Sequence, residues 1–404
     1  MRDMTLTHLG DIVSLRAGVA FPLDLQGRPA GDYPLAKVGD ISKAGRNGKS
    51  VLSSSNHYVD KVDLKRLGAT PIPQGSVLFA KIGEAIRQNH RVIAGCPLLV
   101  DNNAMAAIPT ARIESRYLYH FLRTVDLYRM ASATTVPSLR KTDLASISVP
   151  LPPLPEQRRI ADVLDRAEAL RAKRRAALAQ LDTLTQSIFL DMFGDPVAGD
   201  MGWPIESIAS IASGEKHAIV DGPFGSSLKR HHYKQSGIPV IRIGNVSKGG
   251  EFVRSDLLFI DRSVFESLRR SRIWPQDVLI TRVGTLGNSC IFPDDIGDAL
   301  LSTTGVCKIT VNPSRVLPVF LHAAIRMPTF QEQIHRSAST SVQKYFNLTA
   351  LRSWHLAVPP IAIQRVFADR VAMVETLREQ HRVSQARFDA LFASIQLRAF
   401  SGEL

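Results

Sequence analysis

Two stretches of the chain change the step of their apolar positions from near-alternation to a helical period. In the first, Ile160, Val163, Ala167, Leu170, Arg174, Ala177, Leu181, Leu184 and Ile188 advance by three and four in turn, the spacing of a heptad seam. Pro155 suits the first turn of such a helix, where its missing N–H costs nothing, and Gly194, Asp195 and Pro196 supply a stop. In the second, Phe367, Arg370 with Val371 beside it, Val374, Leu377, His381, Ser384, Phe388, Leu391 and Ile395 repeat the pattern at an offset of 207. Ahead of each helix, short β-branched and aliphatic runs such as PLAKVGDI, SVLFAKIG, PVIRIGNV and DVLITRVG are bounded by Gly, Pro and Asp, which reads as strands and turns. Between them SRYLYHFLRTVDLYRM and VFLHAAIRMPTFQEQI carry helical spacing at equivalent places.

The correspondence extends along the chain. YPLAKVGDIS at Tyr33 returns as IPVIRIGNVS at Ile238, GSVLFAKIG at Gly75 as QDVLITRVG at Gln276, and LPPLPEQRRIADVLDRAEAL at Leu151 as VPPIAIQRVFADRVAMVETL at Val358. Offsets of 205, 201 and 207 within one order of motifs mark loop-length changes between duplicated units. The expected fold class is α+β: two similar strand-rich domains separated by two long antiparallel helices that form a coiled-coil spacer. The expected boundaries are 1–152 for the first domain, 153–194 for the central helix, 195–359 for the second domain and 360–404 for the last helix. The predicted seam consists of Ile160, Val163, Leu170, Leu181, Leu184 and Ile188 with Phe367, Val374, Leu377, Phe388, Leu391 and Ile395. Such seams either pair within the chain or serve another subunit, and intramolecular pairing is the expectation. About 37 helical residues span roughly 55 Å, more than one turn of B-DNA.

Charge gives the domains a partner class. The net charge is +13, and residues 1–155 and 194–363 hold +7 and +4 of it, leaving +1 on each helix. Two basic modules on nearly neutral spacers suit a polyanion, through release of counterions from phosphates. Three widely spaced cysteines, Cys96, Cys290 and Cys307, argue against a disulfide framework or a zinc finger. His231 and His232 lack a carboxylate or thiol at ligand spacing, so no metal site is expected. The start of the chain lacks the features of a secretory signal, and no apolar run reaches membrane-spanning length; a cytoplasmic location with no membrane partner is the expectation.

Reading of base edges needs paired donors and acceptors, with Arg or Lys for guanine and Asn or Gln for adenine. The candidates in the first domain are Lys43, Arg46, Asn47 and Lys49 on a glycine-rich turn, Lys81, Arg87, Gln88 and Arg91 after a strand, and Arg140 and Lys141 before the long helix. In the second they are Ser226, Lys229, Arg230, Lys248, Arg282, Asn288, Gln343 and Lys344. Trp203, Trp274 and Trp354 are expected to pack in the core or at its edge.

With these motifs in view, the chain resembles the specificity (S) subunits of Type I restriction-modification systems. The resemblance rests on PLPPLPEQRRIADVLD at Pro150, IFLDMFGDP at Ile188, GWPIESIASIASG at Gly202 and the closing LRAFSGEL. It implies two target-recognition domains reading a bipartite, asymmetric site on double-stranded DNA. It also implies docking of two methyltransferase subunits on the helices and of restriction/translocase subunits on the assembly. S-adenosylmethionine, ATP and Mg would belong to those partners, with no cofactor and no catalytic residue in this chain. The second unit departs from the pattern at Ala362 and Ile363, where the first has Pro155 and Glu156.

The alternative is a DNA methyltransferase or nuclease with an unrecognised catalytic site. Both double prolines are flanked by apolar residues, LPPL and VPPI, without the polar group that holds an amino group in adenine methyltransferases. KAGRNGKS ends like a phosphate-binding loop but begins with Lys43 instead of glycine. PDDIGD at Pro293 is followed by no lysine placed for a nuclease core, and reads as an exposed turn.

Overall fold

The computed structural model describes residues 5–132, 135–224, 227–302, 304–339 and 343–403. The chain divides into two compact units. Unit 1 is Met1–Arg175 with Val383–Leu404, and unit 2 is Ala176–Arg382.

In unit 1 a five-stranded sheet runs in the spatial order Val13–Ala17, Ala104–Pro109, Val77–Ala80, Arg91–Ala94, Val51–Leu52. A three-stranded sheet of Tyr58–Val59, Tyr33–Ala36 and Leu99–Val100 lies next along the chain path. The central strand is apolar on both faces, because one face meets Ile41, Ala44 and Leu98 while the other meets Tyr117, Leu118 and Phe121 of the helix Ser115–Thr124. Unit 2 repeats the scheme with Ile219–Asp221, Val306–Ile309, Val278–Thr281 and Ser289–Ile291 in one sheet. Its second sheet orders Tyr233–Lys234, Leu258–Ile260, Ile238–Ile241, Ala299–Leu301 and Arg272–Ile273. The helix Pro318–Ile325 covers the first of these sheets through Phe320 and Leu321.

The two long helices are Leu154–Phe193, 40 residues, and Ile361–Ser401, 41 residues. Within unit 1, Arg171 pairs with Asp389 at 2.6 Å and lies over the Phe392 ring, while Arg174 lies over Phe388. Within unit 2, Phe189 and Phe193 meet Phe367 edge-on at 5.6 and 5.3 Å, and Arg378 Nη2 donates to the Leu181 carbonyl at 3.5 Å. In each unit rising numbers on one helix meet falling numbers on the other, so the packing is antiparallel.

The seam itself departs from the heptad expectation. Ile160 and Phe367 are buried, but Leu170, Leu184, Leu377 and Leu391 are exposed, and Val163 is only partly covered. The covered stripe keeps Ile160, Phe367 and Val374, adds Leu164, Val371 and Arg378 as buried positions, and passes through the partly buried Ala167 and Arg171. A straight helix turns about 20° away from a strict seven-residue repeat with each heptad. The burying partners here include the domain's own helix and sheet, which leaves the covered face straight.

A second correction concerns the segment after the first repeated strand. In unit 1 the strand ends at Ala36 and the chain enters a helix, Val38–Arg46, where a flexible turn was expected. Asp40 accepts the Lys37 N–H at 2.8 Å, and Ile41 and Ala44 are buried, so a cap and an apolar face override the glycines. Unit 2 forms only a short turn, Ile243–Asn245, at the same place.

Candidate nucleic-acid interface

Each unit brings two separate loop segments together by backbone pairing. In unit 1 the Gly83 N–H donates to the Pro137 carbonyl at 2.8 Å and the Leu139 N–H to the Lys81 carbonyl at 3.0 Å, with Ile82 bridging Ser138. In unit 2 the Gly284 N–H donates to the Lys344 carbonyl at 3.2 Å and the Phe346 N–H to the Arg282 carbonyl at 3.3 Å, with Val283 bridging Tyr345. The loop that follows the central strand is thereby fixed to the segment that leads towards the long helix. The same device in both units gathers Lys81, Arg87, Gln88, Arg140 and Lys141 in one, and Asn288, Gln343 and Lys344 in the other.

Most of these side chains reach solvent. Arg87, Gln88, Arg140, Lys141, Gln343 and Lys344 are exposed, and Lys81 and Asn288 are partly so. Arg87 is held by Glu84 at 3.0 Å and by the Tyr128 hydroxyl at 2.7 Å, and lies over the Tyr128 ring at 4.3 Å. Lys43, Arg46, Asn47 and Lys49 are exposed on and after the helix Val38–Arg46. Lys229, Arg230 and Lys248 are exposed in unit 2. Ser226 lies outside the described residues.

Two expected surface residues are buried. Arg91 is 3% exposed on a strand and is bound to the His90 carbonyl and Asn89 Oδ1, and burial pulls its guanidinium down to about 9. Arg282 pairs with Asp221 and donates from Nε to the Phe346 carbonyl at 3.0 Å. Both arginines buttress loops from within, Arg282 through Asp221 and the Phe346 carbonyl and Arg91 through its two terminal nitrogens, its Nε being buried without a partner. Two residues outside the predicted set stand at the paired loops: Tyr345 is an exposed aromatic within the pairing in unit 2, and Arg129 is exposed next to Tyr128 in unit 1. No period marks them, since an irregular loop sets their direction. Trp354 is in the core, with Nε1 donating to Ser337 Oγ at 3.0 Å, whereas Trp274 lies under Arg272 at the surface.

A further pair was not anticipated. Gln157 Nε2 donates to the carbonyls of Arg112 and Pro152 at 3.0 and 2.8 Å, while its Oε1 accepts the Glu114 N–H at 2.8 Å. Gln364 makes the same three bonds in unit 2, to Arg315, Pro359 and Leu317 at 2.9, 2.8 and 2.9 Å. The duplication seen in the sequence is therefore a duplication of structure down to single hydrogen bonds.

Residues 1–180 match the Type I restriction modification DNA specificity domain family. The first of the two repeated units thus carries the match to the Type I DNA specificity domain. The matched glutamine bonds carry the same architecture into the second unit. The EcoBI specificity subunit of Escherichia coli is 26% identical over 72% of this chain and 66% of its own length. The EcoKI specificity subunit of Escherichia coli strain K12 is 25% identical over 73% and 67%. The MjaIX specificity subunit of Methanocaldococcus jannaschii aligns over 91% of the chain at 19% identity and 85% of its own length. Thus the chain spans about two thirds of the length of the two Escherichia coli relatives. Among solved structures, a chain of a type I R-M system studied for complex assembly and conformational transition shares the fold. Its TM-score is 0.62 at 17% identity, over 100% of this chain and 99% of that one. The S subunit from M. genitalium follows with a TM-score of 0.53 at 13% identity, over 99% and 97%.

The matched domain is a DNA specificity domain, and the two Escherichia coli relatives are specificity subunits of restriction enzymes. Among the described residues no group of three His, Cys, Asp or Glu is placed to hold a metal ion, and no helix is long and apolar enough to cross a membrane.

Proposed function

We propose that this chain is the sequence-reading component of a Type I assembly, in which each strand-rich domain reads one part of a two-part target on double-stranded DNA. The observation that carries this is the pairing of the same two loop segments in both units, with Lys and Gln side chains reaching solvent in each and Arg87 and Arg140 added in unit 1. Phosphate contacts from Lys43, Lys49, Lys141, Lys229, Arg230 and Lys248 would position each domain. Base-edge contacts would come from Arg87, Gln88, Asn288 and Gln343. The antiparallel long helices would set the length of the unread gap.

Docking of two copies of one partner is supported by a duplicated set of exposed leucines. Unit 1 presents Leu170, Leu391 and Leu397, and unit 2 presents their repeat-related counterparts Leu377, Leu184 and Leu190. Exposed apolar side chains recurring at equivalent places on a soluble helix mark a contact surface. The partner proposed is an adenine methyltransferase that brings S-adenosylmethionine, with ATP and Mg belonging to a restriction/translocase subunit.

The test is to express this chain with its methyltransferase partner and to map methylated adenines across the host genome. A two-part motif with a fixed gap is expected. A single continuous motif, or methylation without sequence preference, would overturn the reading.

A further inference from the structure

Unit 2 contains a cavity at a place that unit 1 fills with aromatic rings. The glutamine clamps align the units residue for residue: Arg112 corresponds to Arg315 and Glu114 to Leu317. On the following short helices Tyr119 therefore corresponds to His322, His120 to Ala323 and Arg123 to Arg326. On the long helices the offset of 207 matches Arg171 with Arg378 and Thr185 with Phe392.

In unit 1, Arg171 lies 4.4 Å from the centre of the buried Phe392 ring, and Arg123 lies 5.1 Å from that of the buried Tyr119 ring. Unit 2 keeps both arginines and loses both rings. Thr185 and His322 stand where Phe392 and Tyr119 would be, and a cavity of about 250 Å³ opens among Thr185, Val371, His322, Ala323, Arg326 and Arg378. The Thr185 hydroxyl is buried without a hydrogen-bond partner. His322 donates from Nε2 to the Ser289 carbonyl at 3.1 Å, which leaves Nδ1 as an acceptor. Gly250 also lines the space, and a Cβ there would fall on the Arg326 guanidinium, so a larger residue would displace that arginine.

We propose that this cavity binds a small planar aromatic molecule with a hydrogen-bonding edge, held against Arg326 and Arg378 as unit 1 holds its own two rings. The electron-rich face of a ring favours a guanidinium, and Ile291, Val319, Ala323, Met327 and Val371 give the cavity an apolar wall. The volume lies below the roughly 300 Å³ at which drug-sized pockets begin, so the guest is limited to one or two fused rings. A polar edge would face the Thr185 and His322 side chains of the lining.

The experiment uses the full chain and indole as the probe, with cyclohexylmethanol as a ligand that lacks a ring face. Titration followed by NMR and by thermal shift should show saturable binding of indole, with cyclohexylmethanol weaker by about tenfold or more. Thr185→Phe, which copies unit 1, should raise the melting temperature of unit 2 and abolish indole binding. His322→Tyr should weaken indole by a similar factor, and serves if the first variant folds poorly. Phe392→Thr should create a second indole site in unit 1. Equal binding of indole to the parent chain and to both filled variants, no binding up to its solubility limit, or equal affinity for cyclohexylmethanol would each overturn the proposal.

Discussion

At Gln157, which is 1% exposed, one amide side chain satisfies three backbone groups that would otherwise lie buried and unpaired, and Gln364 does the same in unit 2. Leucine at either position keeps the volume and removes all three bonds. With about 1–3 kcal/mol for each buried group left unsatisfied, Gln157→Leu and Gln364→Leu should each destabilise by at least about 2 kcal/mol. Calorimetry should place the loss in the transition of the altered unit, and an unchanged transition would count against the clamp. A different balance governs Lys308 and Asp277, which pair at 2.8 Å with both side chains buried. Burial lowers the lysine's pKa, opposed by the charge of Asp277. The strand register gives Ser76 and Ala106 as the counterparts in unit 1. Asp277→Ser alone strands a buried ammonium and should cost about 3–5 kcal/mol, whereas adding Lys308→Met should recover most of it. Denaturant titration of the single and double variants decides this; equal losses would mean that the pair is net stabilising.

The long helices show how an apolar count and an apolar face diverge. Their existence and approximate ends follow from proline, glycine and periodicity, which act within a turn or two of the chain. Which side is covered depends on the whole set of neighbours, and the domain helices and sheets take the positions at Leu164, Phe189, Val371 and Phe392. Leu170, Leu184, Leu377 and Leu391 are left in solvent, on the face assigned above to a partner. Replacing Leu391 and Leu397 with Glu should therefore remove one of two bound methyltransferase copies while leaving helix content unchanged. Native mass spectrometry of the reconstituted complex reads the outcome, and retention of both copies would refute the assignment. The turn after the first repeated strand makes the same point at shorter range. Lys37, Asp40, Ile41 and Ala44 supply a cap and a buried face, so SKAGRNG is largely helical despite its glycines.

Across the molecule, duplication gives each half its own sheets, clamp and paired loops. Exchanging residues 1–152 for those of a relative with a different target should change one part of the recognised sequence and leave the other part intact, as read by methylome mapping. A change in both parts would show that the two units do not read independently. The chain by itself determined the repeat, the α+β class, the long helices and the basic character of both domains, because each of these is a periodicity or a sum that needs no knowledge of neighbours. Only the tertiary structure decided that Arg91 and Arg282 are internal props, that Gln157 and Gln364 are clamps, and that the segments around Lys81 and Leu139, and around Arg282 and Phe346, share one surface. These outcomes depend on pairing between residues tens of positions apart, where packing and hydrogen-bond satisfaction, and not local pattern, choose the partner.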